Sequence, residues 1–119
     1  LARSSRVKGV VVLGSTGSIG ENTLDVVGRH PERFRVVALA AHSNHEALFA
    51  QCQRFRPEIA ALVDRAAASR LAARIASAGL DTRVLSGTEA LSTVATLPQA
   101  DLVMAAIVGA VVLARRKAA

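Results

Sequence analysis

Short apolar runs alternate with helical segments along most of this chain, and that alternation limits the folds it can adopt. The predicted strands are Val10–Leu13, Arg35–Ala41, Ile59–Val63, Thr82–Ser86 and Asp101–Gly109. The first of them is continuously apolar, which is typical of a strand buried on both faces. Because helices connect them, consecutive strands are expected to run parallel with right-handed crossovers. The sequence therefore predicts an α/β fold with a doubly wound parallel sheet in a single domain.

The connecting segments carry the apolar stripes and end signals of helices. Ser43, with Glu46 three residues later, reads as a capping box, and Asp64 is expected to cap the third helix. Gly79 is expected to stop that helix. The predicted core faces are Ile19, Thr23, Val26 and Val27 in the first helix, Leu48, Cys52 and Phe55 in the second, and Leu71, Ala72 and Ile75 in the third.

Charge and hydropathy exclude two classes of partner. The net charge of +6 comes from Arg3, Arg6 and Lys8 at one end and from residues 115–117 at the other, with nine basic and nine acidic residues between them. Without a basic helix face or interleaved aromatic residues, nucleic acid is not an expected partner. The longest uncharged apolar run, residues 102–114, is shorter than the roughly 18–20 residues of a membrane span. The N-terminus lacks the apolar core of a secretory signal, so a membrane is not expected either.

A glycine-rich turn, GSTGSIG, lies between the first predicted strand and the first predicted helix. Gly14 is expected to make the tight turn, Gly17 to let a pyrophosphate approach the backbone, and Gly20 to let the helix pack against the sheet. The helix N-terminus would offer free N–H groups and a positive dipole end to phosphates. Hydroxyl donors are expected from Ser15, Thr16 and Ser18. The spacing G-x-x-G-x-x-G in this context predicts a dinucleotide site, and a Walker A loop is excluded because no Gly-Lys-Ser/Thr follows.

The tip of the second strand indicates which dinucleotide is bound. NAD enzymes usually place an acidic residue there for the ribose 2′-hydroxyl. This chain has His42, Ser43 and Asn44 instead. An acid would repel a 2′-phosphate, whereas Ser, Asn and a helix N-terminus can hold one. The sequence therefore favours NADP over NAD, and a simple capped turn is the alternative interpretation.

Other chemistry-bearing residues form no recognisable site. His42 and His45 are three residues apart without a third ligand, so no metal site is predicted. Cys52 is the single cysteine, which excludes an internal disulfide and indicates a reducing compartment. It lies on a predicted core stripe and is interpreted as structural. No catalytic residue is predicted.

Four segments together resemble one enzyme family, the 1-deoxy-D-xylulose 5-phosphate reductoisomerases. They are LGSTGSIGENTLDVV, HPERFRVVALAA, VLSG and ADLVMAAIVGA. The resemblance runs over about residues 8–110 and implies an NADPH-binding Rossmann-like domain. It implies that Thr16, Gly17, Ser18 and Ile19 hold the pyrophosphate. His42, Ser43 and Asn44 would flank the adenosine phosphate, and Ala105, Ala106 and Ile107 would line the nicotinamide side.

The family's activity follows from the same resemblance. Its members isomerise and reduce 1-deoxy-D-xylulose 5-phosphate to 2-C-methyl-D-erythritol 4-phosphate, in isoprenoid biosynthesis by the non-mevalonate route. They use NADPH and Mg or Mn, and they are homodimers. The resemblance implies a small sugar-phosphate substrate for the full-length enzyme and a bacterial cytoplasmic location rather than a plastid.

The end of the chain departs from the family pattern. VVLARRKAA replaces a Gly-Leu helix and a strand ending in Asn-Lys-Glu, so the domain is expected to be incomplete at its C-terminal end. The catalytic domain with its metal ligands would then be absent, so the chain alone is expected to be inactive and to bind no Mg or Mn. The predicted division is a basic tail over 1–7, the NADPH-binding domain over 8–110 and a divergent basic tail over 111–119. Two alternatives stay open: another NADP-linked reductase, similar to dihydrodipicolinate reductase, or a non-catalytic nucleotide-sensing module.

Overall fold

The computed structural model describes residues 7–107 and 110–115, and of residues 107 and 110–115 it describes the backbone path. The basic residues Arg3, Arg6, Arg116 and Lys117 therefore lie outside the described part. The elements in chain order are β1 (Lys8–Leu13), α1 (Ser18–Gly28), β2 (Phe34–Ala41), α2 (His45–Phe55), β3 (Ile59–Leu62), α3 (Arg65–Ser77), β4 (Arg83–Ser86), α4 (Glu89–Ala95), β5 (Leu102–Ile107) and β6 (Ala110–Arg115).

All the elements belong to one sheet and its covering helices. The strand order is β4-β3-β2-β1-β5-β6. The first five strands pair in parallel, which confirms the predicted doubly wound sheet. From β1 the chain adds β2, β3 and β4 in turn on one side, and it then crosses back to place β5 on the other side of β1. The strand order therefore reverses between β1 and β5. In open α/β sheets, ligands bind at such a reversal, beyond the carboxyl ends of the strands.

The sixth strand was not predicted. Residues 110–115 pair with β5 in antiparallel orientation, with Ala110 opposite Ile107 and Arg115 opposite Leu102. Most of the expected C-terminal tail is thus part of the sheet. The carboxyl end of β5 remains at the same edge as the ends of β1 and β2.

The core lies on both faces of the sheet. Helices α1, α2 and α3 pack on one face with Val10, Leu39 and Leu62. Helix α4 covers the other face with Val11 and Val37. Each large apolar side chain buried in this way contributes about 1.5–3 kcal/mol to folding. This packing makes the sheet a rigid support for the turns at its carboxyl edge.

Two predicted helix faces are wrong in part. In α1, the buried residues are Gly20, Leu24 and Val27, whereas Val26 is 54% exposed. In α3, Leu71 and Ile75 are buried as predicted, but Ala72 is exposed and the remaining inward positions are Ala67 and Ala68. The second helix follows the prediction more closely, because Leu48 and Cys52 are buried and Phe55 packs against the same core.

Asp64 caps α3 as expected, its side chain accepting a hydrogen bond from the N–H of Ala66 at 3.2 Å. Gly79 lies two residues beyond the end of α3. No helix in the described part of the chain combines the length and the apolar character needed to cross a membrane.

Candidate functional site: the glycine turn at the carboxyl edge

The turn between β1 and α1 is held by backbone hydrogen bonds to β2. The N–H groups of Gly14 and Ser15 donate to the carbonyl of Ala40, at 2.8 and 3.0 Å. Gly14 has φ +74°, a conformation that side chains rarely allow, and a Cβ there would run into the carbonyl oxygen of Ala106. Glycine is therefore required at position 14 for two reasons, the positive φ and the close carbonyl, which confirms its predicted role in the tight turn.

Gly20 also needs to be glycine, but for a reason that differs from the prediction. A Cβ on Gly20 would contact the backbone of the turn itself, at the carbonyl oxygen of Gly14 and the backbone of Ser15. The close approach that Gly20 allows is thus between α1 and the turn rather than between α1 and the sheet. This contact fixes where the helix begins relative to the turn.

Gly17 is the N-cap of α1 and lies at the surface. Its backbone is extended, with φ −77° and ψ 169°, and its residue is exposed. Among the described residues, a Cβ at this position would contact only the carbonyl oxygen of Gly14, at 3.7 Å. No described contact therefore requires glycine here, and the residue leaves open space above the start of the helix.

The start of α1 can bind an anion. The N–H groups of Ser18, Ile19 and Gly20 have no hydrogen-bond acceptor within residues 7–107, and no side chain caps the helix. Ser18 is exposed and Ile19 is half-buried. Free N–H groups and the positive end of the helix dipole attract phosphate.

The hydroxyl groups of the turn do not all face the surface. Thr16 is half-buried and Ser18 exposed, so both can reach a ligand. Ser15 is 0% exposed, and its Oγ has no hydrogen-bond partner among the described residues. The expectation that the Ser15 hydroxyl donates to a ligand is therefore corrected: the backbone bonds of Ser15 draw its side chain inside.

The tip of β2 lies beside the turn. His42, Ser43 and Asn44 are all exposed. Asn44, and not Ser43, is the N-cap of α2, since its Oδ1 accepts from the N–H of Ala47 at 3.1 Å. Ser43 is consequently not used as a cap. The carbonyl of His42 accepts from the N–H of Asp64 at 2.9 Å, which ties the tip to the next turn along the edge.

The end of β5 forms the other side of the turn. Ala105 pairs in register with Leu13, the last residue of β1. Ala106 contributes the carbonyl that restricts Gly14. Both alanines are half-buried, and the side chain of Ile107 lies outside the described part of the structure. The three predicted site segments therefore meet at one edge of the sheet.

Cys52 belongs to the core, whereas His42 and His45 lie at the carboxyl edge on either side of the α2 N-cap. Burial raises the pKa of the Cys52 thiol to about 11, although a hydrogen bond with Thr82 acts in the opposite direction. The thiol is therefore protonated at neutral pH, which fits a structural role. His42 is exposed, whereas the Nδ1 of His45 is buried without a partner within the described part of the chain. Over the same residues, no three His, Cys, Asp or Glu side chains are close enough to hold a metal ion.

The sequence reasoning missed Gln51. This residue of α2 is only 9% exposed, and its Nε2 donates to the carbonyl of Ser15 at 2.8 Å. A signal was present, because Gln51 lies between Leu48 and Cys52 on the predicted core face of α2. A polar residue on an apolar helix face needs a hydrogen-bond partner in the interior.

Comparison with known proteins decides the family. The family model described as 1-deoxy-D-xylulose 5-phosphate reductoisomerase matches residues 10–119. The chain belongs to this family. A curated reductoisomerase from Nitrosomonas europaea is 57% identical over 106 residues, which are 89% of this chain and 26% of the relative. One from Dechloromonas aromatica is 54% identical over 107 residues, 90% of this chain and 27% of the relative. The chain thus spans about a quarter of the length of these reductoisomerases.

Solved reductoisomerase structures share the fold. One, described as a complex with NADPH, fosmidomycin and magnesium, has a TM-score of 0.80 at 37% identity over 85% of this chain and 24% of its own. The reductoisomerase from Zymomonas mobilis in complex with NADPH has a TM-score of 0.79 at 35% identity over 86% of this chain and 26% of its own. The resemblance inferred from the sequence is confirmed, and the alternative of a dihydrodipicolinate reductase-like protein is wrong.

Proposed function

We propose that this chain is the NADPH-binding part of a 1-deoxy-D-xylulose 5-phosphate reductoisomerase. The observation that carries the proposal is the open N-terminus of α1 after the glycine turn. It lies between β1 and β5, where the strand order of the sheet reverses. Reductoisomerases of this family have been solved in complex with NADPH. The free N–H groups of α1 fit the charge of a pyrophosphate, and the glycine at position 17 leaves room for it.

Each segment at the edge has a separate role in this proposal. Thr16, Gly17, Ser18 and Ile19 hold the pyrophosphate, and Ser15 with Gly14 sets the path of the turn. The exposed tip formed by His42, Ser43 and Asn44 flanks the 2′-phosphate of the adenosine. Ala105–Ile107 lines the nicotinamide side. When bound, NADPH supplies the hydride for the reduction of the substrate.

The chain is expected to bind NADPH more tightly than NADH, because the tip of β2 lacks an acidic side chain for the ribose 2′-hydroxyl. Ser43→Asp should weaken NADPH binding by about 1–3 kcal/mol, since a carboxylate would replace a favourable contact beside the 2′-phosphate. Calorimetric titration of parent and variant with both cofactors measures this difference.

A matched control for that substitution is Ser77→Asp. Ser77 is an exposed serine at the C-terminal end of α3, so the variant adds the same charge at the end of the helix opposite to the carboxyl edge. It should leave both affinities within twofold of the parent. Equal affinity of the parent for NADPH and NADH would contradict the proposed role of the tip.

The activity of the whole enzyme is also a proposal for this chain. The family reaction is the NADPH-dependent isomerisation and reduction of 1-deoxy-D-xylulose 5-phosphate, and it requires a carbonyl held and polarised near the nicotinamide. We infer that the metal and substrate ligands belong to the three quarters of the relatives that this chain does not span. The full-length enzyme is proposed to be a homodimer in the bacterial cytoplasm with Mg or Mn.

The 119-residue polypeptide alone is expected to show no turnover. Among the described residues, no three potential metal ligands come together. The measurement is NADPH absorbance in the presence of 1-deoxy-D-xylulose 5-phosphate and Mg²⁺ or Mn²⁺. Oxidation of NADPH above background that a chelator abolishes would contradict this prediction. The alternative of a non-catalytic nucleotide-sensing module stays a prediction. The same assay and the calorimetric titration with NADPH test it together.

A further inference from the structure

The contact between Gln51 and the glycine turn has a consequence for how the turn binds an anion. We propose that Gln51 is a positioning residue, which orients the Ser15–Thr16 peptide so that the N–H of Thr16 faces the pyrophosphate. The inference rests on the proposed NADPH function and adds a residue from α2 to it.

Ser15 is held from two directions. Its N–H donates to the carbonyl of Ala40 in β2 at 3.0 Å, and its carbonyl accepts from the Nε2 of Gln51 at 2.8 Å. Within residues 7–107, the bond from Gln51 is the one hydrogen bond that this carbonyl accepts. The orientation of the peptide after Ser15 therefore depends on Gln51.

Because the peptide between Ser15 and Thr16 is trans, the hydrogen bond from Gln51 also sets the direction of the Thr16 N–H. The C=O and N–H of one trans peptide point to opposite sides of the chain, and the described residues contain no cis peptide. Because Gln51 draws the Ser15 carbonyl into the interior, the N–H of Thr16 points away from Gln51. That N–H has no acceptor among the described residues. It adds one more donor to those of Ser18 and Ile19, while the N–H of Gly17 between them donates to the carbonyl of Gly14 at 3.3 Å. Backbone N–H groups gathered in a turn in this way form anion-binding concavities.

The cost of placing Gln51 here supports a role beyond packing. The Oε1 of Gln51 is buried without a hydrogen-bond partner in the described part of the chain, as is the Oγ of Ser15. A half-satisfied buried amide is unfavourable for folding compared with an apolar side chain of the same size. The bond to the Ser15 carbonyl recovers part of this cost. It also keeps that oxygen away from the ligand, since a rotated peptide would turn it toward the phosphates.

The test compares two glutamines of α2. Gln51→Met removes the donor and keeps the size of the side chain, whereas Gln53→Met makes the same change at an exposed position. Affinity is measured for NADPH and for 2′-AMP, which carries the 2′-phosphate but no pyrophosphate. Gln51→Met should lose about tenfold in NADPH affinity and keep its 2′-AMP affinity, and Gln53→Met should change neither.

The outcomes separate this inference from the proposed function. A folded Gln51→Met chain that binds NADPH like the parent, or that loses both ligands equally, would overturn the positioning role. A parent chain that binds neither compound would overturn the proposed function itself. If Gln51→Met fails to fold, amide NMR of the parent decides: NADPH should shift the Thr16 amide proton and slow its exchange. The amide proton of Glu21 should change little, because that N–H already donates a hydrogen bond to the carbonyl of Gly17 at 2.8 Å. An unchanged Thr16 amide at saturating NADPH would overturn the inference.

Discussion

Gly17→Val is expected to abolish NADPH binding in a chain that still folds. Within the part of the chain that the structure describes, a Cβ at Gly17 would contact only the carbonyl oxygen of Gly14, at 3.7 Å, and the extended backbone suits a β-branched residue. The loss of stability should be about 1 kcal/mol, because glycine is preferred to valine as an N-cap. The isopropyl group, however, would occupy the space above the free N–H groups of α1. Affinity should fall on the order of 100-fold or more, since several hydrogen bonds to charged oxygens, each about 1.5–3 kcal/mol, would be lost together.

Calorimetric titration with NADPH, together with thermal unfolding of the same samples, checks this result. Thr88→Val is a matched control, because Thr88 is the exposed N-cap of α4 and makes no side-chain cap bond. It should keep both the affinity and the unfolding temperature of the parent. Gly17→Ala should fall between parent and Gly17→Val. If Gly17→Val bound NADPH as tightly as the parent, the start of α1 would not be the pyrophosphate site.

The fold was predictable because its signals are local. Continuous apolar runs located β1, β2 and β3 to within a few residues, and Asp64 was recognised as a cap from its position before an apolar stripe. The direction of the strands followed from the length of their connections. These signals need no knowledge of which helix packs against which strand.

The errors in helix faces have a common physical cause. In α1, the buried stripe runs through Gly20, which carries no side chain and so gives no apolar signal in a sequence. The stripe was therefore assigned to Val26, which is exposed, instead of Leu24. In α3, alanines occur on every side of the helix, so Ala72 could not be distinguished from Ala67 by composition. Close backbone contacts decide such cases.

The site was predictable as a set of segments but not as a set of contacts. Ser43 and Asn44 are both good N-cap residues, and where the chain leaves β2 decides that Asn44 is used. The hydrogen bond between Ser15 and Gln51 joins residues 36 positions apart, so no local sequence pattern predicts it. The same holds for the burial of Ser15. The sixth strand was missed for a different reason: the fifth strand was predicted to end at Gly109 and residues 111–119 were assigned to a divergent basic tail, although residues 110–115 pair with β5.

Gly20→Ala is expected to destabilise the protein, although alanine is normally the better helix residue. In a helix interior the exchange usually stabilises by about 0.5–1 kcal/mol. Here the added Cβ would lie 2.7 Å from the Cα of Ser15 and 2.8 Å from its carbonyl carbon, and it would also meet the carbonyl oxygen of Gly14. These are backbone atoms that the bonds to Ala40 hold in place, so the clash cannot be relieved by a rotamer change. Overpacking of this kind costs about 1–3 kcal/mol or more.

The matched control for Gly20→Ala is Gly28→Ala at the other end of the same helix. A Cβ on Gly28 would meet the side chains of Arg54 and Phe55, and the nearest atom, an Nη of Arg54, belongs to a flexible and half-exposed group that can move away. Gly28→Ala should therefore change the free energy of unfolding by less than about 1 kcal/mol, whereas Gly20→Ala should lower it by about 2–3 kcal/mol and the Tm by roughly 10 °C. Chemical denaturation of both variants measures the difference. Equal stability of the two would mean that α1 can move away from the turn, and the geometry that places its free N–H groups beside Gly17 would then not be fixed by Gly20.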